Sequence, residues 1–169
     1  SVWVPAFMST YRLSSDIFDE NSKILMSEIK QNTNSVAVHV RRGDLSVEVP
    51  AYGKPASLNY FKEAIGYMKK ETTAPYFYFF SDEPEWVVSE LIPYLELANK
   101  NYRVVDINGS DKGYMDLFLI AYCQHQITSK GTLGKYGALL RDSVDKIVIL
   151  CDDKVEYQWK GVFHNPIFL

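Results

Sequence analysis

A chain of 169 residues, 47% apolar and 23% charged, is long enough to bury a core and too apolar to stay disordered. Its net charge of -3, with Arg41-Arg42 as the compact basic pair, excludes the clustered positive face of a nucleic-acid binder. No run approaches the roughly 20 apolar residues of a membrane-spanning helix, nothing at Ser1 reads as a signal peptide, and Cys123 and Cys151 in or beside apolar runs favour buried free thiols over a disulfide.

In chain order, Ser15-Asp16 caps a first predicted helix with Phe18, Leu25 and Ile29 on one face, and Asn32-Thr33-Asn34 breaks it. The alternating, β-branched run Val36-Ala37-Val38-His39-Val40 predicts a strand with its Val face buried and His39 on the opposite face. A Gly- and Pro-rich loop over 43–55 follows. Ser57 then caps a helix whose face is Phe61, Ala64, Ile65 and Met68. Tyr76-Phe77-Tyr78-Phe79-Phe80 reads as a strand covered on both sides and ended by Ser81-Asp82. A helix over 83–92 is expected to stop or kink at Pro93, and Arg103-Val104-Val105-Asp106-Ile107 forms a third strand. Ser110-Asp111 opens a helix running through Cys123. Gln126-Ile127-Thr128-Ser129 is a short strand, 132–141 a helix, and Lys146-Ile147-Val148-Ile149-Leu150 a fifth strand.

Strands alternating with helices imply parallel pairing through right-handed crossovers, and so an α/β fold with a doubly wound, Rossmann-like parallel sheet. Ligands bind such sheets outside the carboxyl ends of the strands, which directs attention to the residues that follow each one. Arg41-Arg42-Gly43-Asp44 follows the first. Arginine offers a planar fork of donors that matches phosphate, Gly43 leaves room for close backbone approach or a positive φ, and Asp44 can orient a guanidinium, so a diphosphate is the natural guest. An ordinary surface ion pair between Arg41 and Asp44 is the competing reading. An adhesion role for Arg42-Gly43-Asp44 is disfavoured because the tripeptide follows a core strand instead of crowning a loop tip.

Asp116 is the single charge inside Tyr114-Met115-Asp116-Leu117-Phe118-Leu119-Ile120-Ala121-Tyr122, and a carboxylate there needs a partner. The helix dipole or backbone N–H groups can supply it; so can a guanine, whose N1–H and N2–H donate in parallel. Ser129-Lys130-Gly131-Thr132, between a strand and a helix, reads either as an anion site or as ordinary N-capping chemistry. His39, His125 and His164 lack metal-ligand spacing, no C-x-x-C or D-x-D occurs, and neither a P-loop nor a G-x-G-x-x-G segment is present.

Taken together, H-x-R-R-G-D over 39–44, the aromatic strand ending in Ser81-Asp82 with Trp86 beyond it, and M-D-L-x-L-x-x-x-C-x-H-x-I-x-S over 115–129 resemble the α-1,2-fucosyltransferases, over residues from about 36 to 150. The resemblance implies one half of a GT-B fold: a single donor nucleotide-sugar-binding domain over 1–169, with the glycine-rich N-terminal acceptor domain absent from the chain. It implies a metal-independent, inverting enzyme, without cofactor, that moves fucose from the donor substrate GDP-fucose to the 2-hydroxyl of a terminal galactose in a glycan, as in lipopolysaccharide biosynthesis. By the same resemblance Arg41 and Asp44 are catalytic, and His39, Arg41, Arg42, Gly43, Ser81, Asp82, Asp116, Ser129, Gly131 and Thr132 bind substrate. The expected setting is the bacterial cytoplasm, with association at the cytoplasmic membrane face through the missing part. The segment Ser129-Lys130-Gly131-Thr132-Leu133-Gly134-Lys135-Tyr136 departs from the family's Asn-Ser-Ser/Thr-Phe-Ser-Trp-Trp. That departure keeps open a second expectation, a non-catalytic nucleotide-sugar-binding module of the same fold.

Overall fold

In a computed structural model, residues 18–45, 54–109 and 112–169 are described, apart from the side chain of Asp44. Six strands, β1 (Ser35–Val40), β2 (Tyr76–Ser81), β3 (Tyr102–Val105), β4 (His125–Thr128), β5 (Val148–Leu150) and β6 (Pro166–Phe168), form one sheet in the order β3-β2-β1-β4-β5-β6. Every pairing is parallel, so the Rossmann-like expectation holds. The strand order reverses between β1 and β4, which is where a doubly wound sheet opens a crevice at its carboxyl edge.

Helices cover both faces, which is why all six residues of β1 are buried instead of alternate ones. On one face Val36, Val38, Val40, Phe77 and Phe79 pack with Phe61, Ala64, Ile65 and Met68 of α2 (Leu58–Glu71). On the other, Ala37, Tyr78 and Phe80 meet Leu25, Met26 and Ile29 of α1 (Glu20–Gln31), together with Met115, Leu119 and Ile120 of α4 (Gly113–Tyr122). A smaller cluster joins Ala138 of α5 (Leu133–Leu140) to Val148, Leu150 and Phe163. The Tyr60 hydroxyl donates to the Thr128 carbonyl at 2.6 Å and locks α2 to β4. Cys123 and Cys151 are free and buried, and burial pushes their thiols up to about 12 and about 11.

Ser57 caps α2 as predicted, its hydroxyl accepting the Tyr60 N–H. The cap of α1 is Asp19, which accepts the Ser22 N–H at 2.9 Å; Ser15-Asp16 and Ser110-Asp111 lie outside the described residues. Pro93 does not end its helix. The segments Pro84–Trp86, a π-helical turn Val87–Leu91 and Ile92–Leu95 run on as one rod, α3 (84–95). The wide turn bonds Ile92 N–H to Val87 O and starts a fresh first turn around Pro93, where its missing N–H costs nothing. β6 and the 3-10 turn Glu156–Trp159 were not expected, because segments of three or four residues carry no readable period.

Candidate functional site

Parallel register builds the site. Val40 pairs with Ser81 and His39 with Thr128, so one step further Arg41 emerges between Asp82 and Ser129. Its N–H donates to Ser129 Oγ at 2.8 Å, and its guanidinium meets Asp82 Oδ2 at 3.0 Å. Asp82 Oδ1 accepts the Arg42 N–H at 3.0 Å, so one carboxylate grips the turn twice. Gly43 is required here for space: a Cβ would stand 2.5 Å from Asp82 Oδ2. The room that the sequence suggested for a ligand is thus filled by the protein's own acid. The Ser81 hydroxyl donates to Val40 O and fixes the neighbouring strand end.

The adjacent arginines divide their work. Arg41, together with His39, Ser81, Asp82, Asp116, Gly131 and Thr132, lines a cleft of about 740 Å³ along the carboxyl edge of the sheet. Arg42 turns away, its Nε 3.2 Å from Glu83 Oε2 and its guanidinium 3.6 Å above the Trp86 ring. Ser129 lies beneath the wall, its hydroxyl used by Arg41 and its carbonyl by Lys135. The Asp44 side chain is outside what the structure describes. The cleft therefore gathers seven of the substrate-binding candidates and leaves Arg42, Gly43 and Ser129 behind it as supports.

His39 is 5% exposed, and its Nδ1 is buried without a hydrogen-bond partner. Burial, and then the charges of Lys135 and Arg41, hold the imidazole neutral with its pKa lowered to about 3. A side chain at Gly134 would come within 2.8 Å of that ring, so α5 packs directly upon it. At the far side, Asp116 in the first turn of α4 accepts from Asn108 Nδ2 at 2.8 Å. That neutral amide only partly offsets burial, and the carboxyl is pushed up to about 6. An acid held so far from its ordinary range, facing a cleft, is the kind of group that ligand sites contain.

The loop after β4 brings backbone to the cleft wall at the start of α5. Gly131 takes φ +92° and lies against Arg41 Cγ, while Thr132 occupies the N-cap of α5 without using its hydroxyl to cap. Sequence reasoning missed what holds the loop. Lys135 is 2% exposed, and its Nζ donates to the Ser129 carbonyl at 3.0 Å and the Gly131 carbonyl at 2.6 Å, and pairs with Glu156 Oε2 at 2.7 Å. Burial lowers its pKa, against the opposing pull of Glu156. A lysine one turn into a predicted helix reads as solvated, and only the 3-10 turn that brings in Glu156 reveals otherwise. Lys130 likewise pairs with Asp153 at 2.5 Å.

A parallel sheet in this order, with its cleft at the switch point between β1 and β4, defines a Rossmann-type α/β domain of the kind that carries its ligand at the carboxyl edge. Residues 7–159 match glycosyl transferase family 11, and the chain belongs to that family. It is 29% identical over 72% of its length to the O-antigen biosynthesis glycosyltransferase WbnK of Escherichia coli. It is 28% identical over 69% to an α-1,2-colitosyltransferase of the same organism, and 32% over 62% to galactoside α-(1,2)-fucosyltransferase 1 of Saimiri sciureus. These alignments cover 39%, 40% and 28% of the relatives, so the chain spans at most about two fifths of their length. No solved structure matches.

Proposed function

We propose that this chain is the donor-binding half of a glycosyltransferase that takes GDP-fucose and passes the fucose to the 2-hydroxyl of a galactose-terminated glycan. The observation that carries the reading is one cleft lined by the Arg41 guanidinium, by the Gly131-Thr132 turn at the start of α5, and by the Asp116 carboxyl. Arg41 and the loop Gly131-Thr132 suit a diphosphate, because a planar fork of donors and backbone N–H groups at a helix start both match phosphate oxygens. Asp116 suits the N1–H and N2–H edge of guanine, which would supply the paired donors that Asn108 alone does not. Relatives named for fucose and colitose transfer through a 1,2 linkage support the sugar and the bond.

In this reading Arg41 acts electrostatically. Charge grows on the β-phosphate as the glycosidic bond breaks, and a guanidinium already fixed at the cleft wall stabilises it without reorganising. Ser129 anchors the Arg41 backbone N–H and Asp82 holds its guanidinium, so the donor fork is placed before the ligand arrives. Titration calorimetry of the chain with GDP, GDP-fucose and UDP-glucose tests the proposal. GDP and GDP-fucose bind and UDP-glucose does not; equal affinity for all three, or none, rejects it.

A further inference from the structure

The cleft has a further stretch of wall that the nucleotide reading leaves unassigned, lined by Val155, Gln158 and Trp159. Following the sheet order, the wall passes from Asp106 and Asp116 beside β3, across Ser81 and Arg41, to Gly131 after β4, and ends at Val155, Gln158 and Trp159 beyond β5. If the base sits at Asp116 and the diphosphate at Arg41, the group on the far phosphate falls against that last wall.

We propose that Val155, Gln158 and Trp159 form the subsite for the donor's sugar ring, and that this subsite is shaped for a 6-deoxyhexose. The inference rests on the nucleotide reading above and adds which residues meet the sugar. A 6-deoxyhexose presents a methyl group and a patch of C–H bonds on one side and hydroxyls on the other. Val155 is a half-exposed valine at 52%, in a position where an apolar side chain has no core to join. Trp159 is half-buried and lines the cleft beside it, braced by Phe163 stacked at 5.8 Å and by Tyr136 edge-on at 5.9 Å. An aromatic side chain so braced receives C–H groups without first losing rotamer freedom. The exposed Gln158 amide donates to the Val155 carbonyl at 3.0 Å, and its oxygen remains an acceptor for a sugar hydroxyl.

The wall is also rigidly placed. Glu156 of the same 3-10 turn pairs with Lys135, and Lys135 holds the Ser129 and Gly131 carbonyls. The sugar wall and the phosphate cradle are therefore pinned to one buried ammonium, and the spacing between them is fixed.

Saturation-transfer NMR of the chain with GDP-fucose tests this, because guanine H8 and the sugar C6 methyl report separately. In the wild type both signals appear. In Val155→Ser and Trp159→Ala the methyl signal is lost while H8 keeps its intensity, and GDP-fucose weakens about ten-fold with GDP unchanged, equivalent to about 1.4 kcal/mol. Methyl transfer that is absent in the wild type beside a strong H8 signal, or that survives in Val155→Ser, overturns the subsite and leaves the nucleotide reading standing. No H8 signal in the wild type rejects both. Loss of H8 in Trp159→Ala alone marks a damaged fold, and Val155→Ser, altering an exposed side chain, then decides.

Discussion

Asp116→Asn separates the stability of this domain from its ligand chemistry. Burial lifts the Asp116 carboxyl from 3.8 to about 6. At about 1.36 kcal/mol per unit, that shift corresponds to at most about 3 kcal/mol of folding free energy lost to keeping the group ionised at neutral pH. Because the group stands partly in an open cleft, about 1–2 kcal/mol is the working figure. The sign follows from proton affinity: the folded chain holds this proton more tightly than the unfolded chain. The penalty is therefore absent below about 3.8, develops between there and 6, and is complete above. Asparagine keeps the oxygen that accepts from Asn108 and removes the charge. Urea denaturation is thus expected to show Asp116→Asn more stable than the wild type at pH 7 by about 1–2 kcal/mol, with most of the gain gone at pH 4. Guanine binding moves the opposite way. GDP-fucose, whose diphosphate has no group titrating near neutrality, is held less tightly by the wild type as pH falls through about 6, and the variant loses about 1.5–3 kcal/mol of affinity at pH 7. It also loses the preference for guanosine over inosine diphosphate, which lacks the N2 donor. A variant that is destabilised at pH 7, or stabilised equally at pH 4 and 7, refutes the desolvation argument; an intact preference for guanosine refutes the base contact.

Arg41→Ala weakens GDP binding by about 1.5–3 kcal/mol through loss of a charge-assisted bond, whereas Arg42→Ala, removing a guanidinium held by Glu83 and Trp86, changes affinity little and lowers stability by about 0.5–1 kcal/mol; calorimetry and thermal melts on both variants distinguish the two. Lys135→Met leaves Glu156 buried and unpaired and is expected to cost about 3–5 kcal/mol by urea denaturation, with most of the loss recovered when Glu156→Leu is added. GDP binding does not recover in that double variant, because the Ser129 and Gly131 carbonyls still lack their donor.

Elements with a full period were readable. The alternation in β1, the unbroken aromatics of β2 and the apolar face of α2 each dictate one structure, and parallel topology then carries Arg41, Asp82, Ser129 and Gly131 to a common edge. What could not be read is how adjacent residues share their tasks. Arg41 and Arg42 are alike in sequence, and only the position of Trp86 and Glu83 on α3 sends one to the wall and the other behind it. Ser129 reads as a ligand group because it stands between a strand and a helix start, yet the Arg41 N–H just beyond β1 takes its hydroxyl. Lys135 was overlooked because its acid arrives from an unperiodic turn.

The cations in the described wall of the cleft all face an acid of their own: Arg41 faces Asp82, Lys130 faces Asp153 and Lys135 faces Glu156. With Asp106 and Asp116 on the same wall, the described residues of the cleft carry no surplus of positive charge. A stray inorganic phosphate meets no surplus positive field, and to be held it must compete with an internal carboxylate. On the donor-binding reading proposed above, only a guest with further handholds repays that exchange, and discrimination against small free anions follows from these internal pairs.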